Sequence, residues 1–180
     1  GTASIAGIVT RSASPKGFLR RARVTVSGGA LTAPRIDTTD DQGRFEIGGL
    51  PPGQYVVSAS KPAYLAMNFG ATRPGRLGTS IVLADGQRVA NIAIALPRGA
   101  VIAGVVTNLV GEPMQNAFVT LLHRRMYNGE RQFLTVASGG FTDDRGEYRA
   151  YGLAAGEYLV VAQAFAEPGL PAEVIRLAAG

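Results

Sequence analysis

The stretch Thr39-Asp40-Asp41-Gln42-Gly43-Arg44-Phe45-Glu46-Ile47-Gly48-Gly49-Leu50-Pro51-Pro52-Gly53-Gln54-Tyr55-Val56-Val57 decides the fold. It returns 103 residues later (Asp40 to Asp143) as Thr142-Asp143-Asp144-Arg145-Gly146-Glu147-Tyr148-Arg149-Ala150-Tyr151-Gly152-Leu153-Ala154-Ala155-Gly156-Glu157-Tyr158-Leu159-Val160. Phe45 and Ile47 alternate with Arg44 and Glu46, and Tyr55, Val57 and Ala59 alternate with Val56 and Ser58. A period of two marks strands with one face turned inward. Asp-Asp-x-Gly ahead of the first run suits a tight turn, because an Asp side chain bonds backbone amides two residues on and Gly accepts positive φ. Leu50-Pro51-Pro52-Gly53 reads as a second turn. A Tyr just after such a turn is placed like the tyrosine corner of Greek-key sandwiches. Structural roles are therefore expected for Gly43, Gly53 and Tyr55, and for Gly146, Gly156 and Tyr158.

Upstream the parallel continues. Ile5-Ala6-Gly7-Ile8-Val9-Thr10 returns as Ile102-Ala103-Gly104-Val105-Val106-Thr107, and Ala22-Arg23-Val24-Thr25-Val26 as Ala117-Phe118-Val119-Thr120-Leu121. Preserved order implies a repeated domain and not a chance motif. The expected fold is all-β, two tandem antiparallel Greek-key β-sandwich domains. The first spans 1–98 with a closing strand at 89–96, and the second spans 99–180. Between Leu121 and Thr142 the second copy carries 8 more residues than the first does between Val26 and Thr39. They include Tyr127-Asn128-Gly129-Glu130, and Asn-Gly between strand-like runs signals a hairpin. Leu77 to Gly86 leads into the alternating Val89–Leu96 run, whereas Leu170 to Gly180 parallels only the first part of that segment. The second copy is thus expected to be truncated before its last strand, with one open sheet edge that residues beyond Gly180 would cover.

Composition limits the chemistry. With 180 residues and 46% hydrophobic content the chain can bury two modest cores. Without cysteine there is no disulfide, thiolate metal site or cysteine nucleophile. No apolar run reaches the roughly 18 residues of a membrane span, so the chain is expected not to be membrane-spanning. Residues 1–98 hold 12 Lys and Arg against 5 Asp and Glu, and 99–180 hold 6 against 8. The first half is basic, but its arginines stand singly along strands and turns, a pattern that does not predict nucleic-acid binding.

Asp40, Asp41, Asp143 and Asp144, with Asp37 nearby, offer oxygen ligands for a calcium alternative. Such a site wants six or more oxygens, and this spacing matches no dedicated loop; turn and capping carboxylates are the preferred account. His123, in Leu121-Leu122-His123-Arg124-Arg125, is the one histidine. It has no second imidazole or thiolate for zinc and is expected to face solvent. There is no Gly-x-Ser-x-Gly, and neither Ser27-Gly28-Gly29 nor Ser138-Gly139-Gly140 precedes a helix with a lysine, so serine hydrolysis and phosphate-loop chemistry are not expected. No cofactor is expected. Tyr64, Phe69, Tyr127 and Tyr151 remain as candidate carbohydrate-stacking residues; hinge packing for the first pair and loop anchoring for the second are the plainer accounts.

Gly-x-Val at the first strand, Thr-Asp-x-x-Gly-x-Phe, and Gly-Leu-Pro-Pro-Gly-x-Tyr-x-Val together resemble the carboxypeptidase regulatory-like family, over most of residues 3–60 and 100–165. The resemblance implies a small transthyretin-like sandwich, found beside metallocarboxypeptidases, in secreted and surface proteins and at the front of outer-membrane transporters. The second copy departs from it with Ala154 and Ala155 for Pro51 and Pro52, and Tyr151 for Gly48. Related sandwich families bind starch, and similar surface domains form Lys–Asn crosslinks. Here the first strand has no lysine, and only Lys16 and Lys61 exist. The resemblance also implies an extracellular or periplasmic location. The expected function is a non-catalytic structural or interaction module of a larger secreted, periplasmic or surface protein. It would contact other domains of the same polypeptide or a protein partner, with glycan binding as the alternative.

Overall fold

The computed structural model describes residues 1–13, 17–164 and 174–178. All regular structure among them is strand. The chain divides into two compact units, Gly1–Gly99 and Ala100–Gly180.

In the first unit, β1 (Ala3–Arg11) lies between β4 (Arg44–Leu50) and β8 (Arg88–Leu96). The second sheet runs β3 (Arg35–Thr38), β2 (Arg23–Gly28), β5 (Gly53–Ser60); β6 (Met67–Asn68) and β7 (Ile81–Leu83) both pair with β5. The period-two pattern sends Phe45 and Ile47 of β4, Val24 and Val26 of β2, and Tyr55 and Val57 of β5 into one core with Ile5, Val9, Ile92 and Leu96. These side chains come from both sheets, which makes the unit a sandwich. Each fully buried aliphatic or aromatic among them contributes about 1.5–3 kcal/mol by leaving water.

One feature corrects the antiparallel expectation. β1 and β4 are antiparallel, but β8 runs parallel to β1, from Ser4↔Arg88 to Arg11↔Leu96. Parallel neighbours need a long connection, and the chain between them supplies it by building the opposite sheet first. After β7 it turns at Asp85-Gly86 and lands beside β1 in the same direction. Alternation in a sequence reports which face is buried and carries no strand direction.

In the second unit, β9 (Ala100–Val105) pairs antiparallel with β12 (Glu147–Leu153). The other sheet has the order β11 (Glu130–Phe141), β10 (Phe118–Tyr127), β13 (Tyr158–Gln163), β14 (Val174–Ala178). Val106, Val119, Leu121, Tyr148, Ala150, Leu153, Val160 and Ala162 form its core. β10 and β11 are joined at Asn128-Gly129, both with positive φ (50° and 84°). Two such residues make the primed turn whose twist matches a hairpin. β14 pairs antiparallel with β13. Of the Leu170–Gly180 segment, positions 170–173 and 179–180 lie outside the described residues, as does Lys16.

Candidate functional site

The repeated residues assemble one corner in each unit. Asp40 Oδ1 accepts from the amides of Gln42 (2.9 Å) and Arg44 (2.8 Å), and Asp143 Oδ1 from those of Arg145 (3.0 Å) and Glu147 (2.8 Å). Gly43 and Gly146 follow at φ 72° and 70°, where a Cβ would lie 2.5 Å from the carbonyl oxygen of Val9 or Val106. That carbonyl and the adjacent amide are the reason for the close approach. Val9 N donates to Gly43 O at 2.8 Å and Val106 N to Gly146 O at 2.9 Å, which ties each turn to its first strand or the residue just after it. The turn carboxylates are thus occupied by backbone amides. Asp37 is engaged likewise, by the amides of Thr38 (2.7 Å) and Glu46 (3.0 Å). Asp41 and Asp144 are exposed. No group of three or more His, Cys, Asp or Glu side chains among the described residues is close enough to share a metal ion.

Beneath each turn sits a buried threonine that the sequence reading passed over. Thr39 Oγ1 donates to Leu19 O and accepts from Ala22 N (2.8 Å). Thr142 Oγ1 donates to Met114 O (2.6 Å) and accepts from Ala117 N (2.9 Å). Both hydroxyls use donor and acceptor capacity inside the fold, so neither is free as a nucleophile. The repetition of Thr at the head of the motif was the available signal.

The two tyrosines lie at the far side of the corner. Tyr55 Oη donates to Pro51 O and Tyr158 Oη to Ala154 O, each at 2.7 Å. Gly53 and Gly156 precede them at points of close approach, to a backbone in the first unit and to a side chain in the second. A Cβ on Gly53 would meet Gly29 Cα at 2.9 Å, and one on Gly156 would meet the His123 ring. Tyr55 is fully buried, whereas Tyr158 is half-buried and stacked on His123 (centroids 4.5 Å, planes 9° apart).

His123 therefore corrects the expectation of a solvent-facing residue. Val119, Leu121 and His123 share one face of β10, and that face is inward. Arg125 Nε donates to His123 Nδ1 at 2.8 Å, an arrangement that fits the neutral ring. Burial first, and the Arg125 charge second, hold the His123 pKa below its ordinary value. Burial raises the Tyr158 phenol, against smaller opposing effects from Arg125 and the Ala154 hydrogen bond. A buried ring with one nitrogen held by a guanidinium is poorly placed to shuttle protons to a substrate.

The candidate sugar-stacking residues lie two in each unit. Tyr64 and Phe69 are half-buried against the first core. Tyr127 and Tyr151 are exposed but sit on strands of different sheets, β10 and β12, and not in loops. The first unit has an open depression of about 650 Å³ over β1, β4 and β8, where Glu46 and Arg88 pair at 3.3 Å in solvent. An exposed ion pair of this kind contributes little. Lys61 Nζ donates to Arg20 O at 2.8 Å.

Among known proteins, a sequence model of the carboxypeptidase regulatory-like domain matches residues 4–97. No curated protein matches the chain in sequence. Of solved structures, a streptococcal ancillary pilin is similar at 15% identity over 99% of this chain and 59% of that one, with a TM-score of 0.43. The Bacillus anthracis TIE protein is similar at 21% identity over 99% and 31%, with a TM-score of 0.38. The minor pilin of Streptococcus agalactiae is similar at 13% identity over 97% and 90%, with a TM-score of 0.42. The chain spans less than two thirds of the length of the first two.

Proposed function

Since the chain belongs to the carboxypeptidase regulatory-like family, we propose that it is a non-catalytic structural or interaction segment of a larger secreted or surface protein, built from two copies of one β-sandwich. One observation carries this reading. The repeated polar and aromatic side chains of the motif, Thr39 and Thr142, Asp40 and Asp143, Tyr55 and Tyr158, each bond the backbone of their own unit. What the repeat preserves is the framework, and function sits on surfaces that the framework holds. A role in spacing or docking other domains uses a framework and needs no reactive group.

Calcium and glycan titrations of the 180-residue chain test it. Melting temperature and calorimetric heats are expected to be indifferent to millimolar calcium and to a glycan panel. Calcium stabilisation abolished by Asp143→Asn, or micromolar sugar binding abolished by Tyr151→Ala, would replace the structural reading with a ligand-binding one. Turnover of any substrate by rigorously purified protein would do the same for catalysis.

A further inference from the structure

We propose that the outward face of β12 and β9, in the second unit, docks on the outward face of β4 and β1 in the first unit of a second copy of this chain. The inference rests on the reading of the chain as an interaction segment and deepens it by naming the partner.

β4 and β12 hold the same place in the repeat, and they differ on one side only. Inward positions keep their kind: Phe45 and Tyr148, Ile47 and Ala150, Leu50 and Leu153 are all buried and apolar. The outward positions turn to their opposites. Arg44 is matched by Glu147, Glu46 by Arg149 and Gly48 by Tyr151, and all six are exposed.

Laid face to face in the same direction, the two strands bring these three pairs into one register. Alternate residues on either strand are about 7 Å apart, and packed sheets keep their strand directions within about 30° of each other. Arg44 then meets Glu147, Glu46 meets Arg149, and Tyr151 lies over Gly48. In the opposite direction Arg44 would meet Arg149 and Glu46 would meet Glu147, so charge selects the direction. Among the described residues Arg44, Glu147 and Arg149 take part in no ion pair. Glu46 binds Arg88 through Oε1, and a carboxylate has a second oxygen to accept from Arg149.

Size matches as charge does. Tyr151 is 57% exposed, and over Gly48 the nearest atom to a Cβ is Ser4 Cβ, at 4.0 Å, which leaves a seat for a ring. On the second unit, exposed Val101, Val105 and Phe141 line an open depression of about 670 Å³ with Glu147 and Arg149. The depression of about 650 Å³ on the first unit holds Arg44 and Glu46 among the smaller Ala6 and Ala93. Two like faces match charge only when stacked in opposite directions, and neither such pair seats Tyr151 on Gly48. The contact therefore joins unlike faces, head to tail.

Sedimentation velocity of the 180-residue chain, from micromolar to about millimolar protein, reads the contact. The expected result is a mass that rises with concentration and falls back in high salt. Exchanging the charges of one unit, by Arg44→Glu with Glu46→Arg or by Glu147→Arg with Arg149→Glu, should weaken association about tenfold or more, since like charges then face each other. A mixture of these two variants should associate again, because their altered faces match each other and so do their unaltered ones. Gly48→Tyr fills the seat and should abolish association; it replaces an exchanged variant that fails to fold. A chain that stays monomeric at every concentration overturns the self-docking and leaves the structural reading, which the calcium and glycan titrations test, standing. Association indifferent to either exchange, or to Gly48→Tyr, overturns the pairing of unlike faces. Loss in both exchanged variants without recovery in their mixture overturns it as well.

Discussion

Tyr55 and Tyr158 make the same hydrogen bond to a carbonyl four residues back, yet their rings meet different neighbours. Across the sheet Tyr55 opposes Gly28, and Tyr158 opposes His123. Gly28 has φ 105°, so β2 ends there and the next glycine leaves room in which the Tyr55 ring is fully buried. His123 has no such freedom. β10 therefore runs on to Tyr127, the hairpin extends, and the Tyr158 ring stacks on the imidazole with part of its surface in water. Strand length, aromatic burial and the place of an ionisable group all differ together where Gly28-Gly29 of the first unit give way to His123-Arg124 and a longer hairpin in the second. A conserved contact is thus a poor guide to the energy at a site when its neighbour has changed.

The largest effect expected from this contrast is the cost of removing each ring. Tyr55→Ala should destabilise the first unit by roughly 3–5 kcal/mol, since it empties a fully enclosed site. Tyr158→Ala should cost the second roughly 1–3 kcal/mol, because less area leaves water there. Urea denaturation of the chain, followed by amide exchange in each unit, measures both. Equal losses would show that His123 encloses its tyrosine as well as the glycines enclose theirs.

Forcing the first unit to resemble the second should also be costly. Gly28→His places a side chain at φ 105° with its Cβ 2.6 Å from Gln54 O, a strain of about 1–3 kcal/mol. A melting temperature unchanged by Gly28→His would mean that β2 can continue as β10 does, and that the glycine is not what ends it.

The threonine pair should behave alike where the tyrosine pair does not. Thr39→Val and Thr142→Val each leave a backbone amide and a carbonyl without their hydroxyl partner, at about 1–3 kcal/mol. Matching losses in the two units support a shared framework; a silent Thr142→Val would sharpen the contrast by confining the clip to the first unit.

The smallest effect is in pH. The folded-state pKa of His123 is held below its ordinary 6.5, so the unfolded chain takes up a proton that the folded chain resists. Stability of the second unit should be complete above about pH 6.5 and should fall as the pH drops from there towards the folded-state value. The first unit has no histidine and should not share this dependence. His123→Gln should remove it from the second, as read by melting temperature between pH 7.5 and 5; a slope that survives the substitution would assign it to the carboxylates.

Much of this was legible in the residues. Alternation in Arg44–Ile47 and Tyr55–Ala59 gave the strands and their inward faces, and Asp-x-x-Gly gave the turns, because periodicity and turn chemistry are local properties. The burial of His123 was also legible, since it continues the Val119, Leu121 parity, but its polarity suggested the wrong face. Thr39 and Thr142 were repeated, yet a hydroxyl's partners at Leu19 and Met114 are set by chain crossings that no local pattern encodes.

What the sequence determined by itself was the alternating strands and the tight turns that join them, because each of these is fixed by neighbours within a few residues. What only the tertiary structure decided was direction and company: that β8 lies parallel to β1, that the histidine is roofed by a tyrosine, and that β10 pairs with β13 as well as with β11. Those outcomes depend on contacts between segments many tens of residues apart, where the packing of a shared core, and not the preference of any one segment, selects the arrangement.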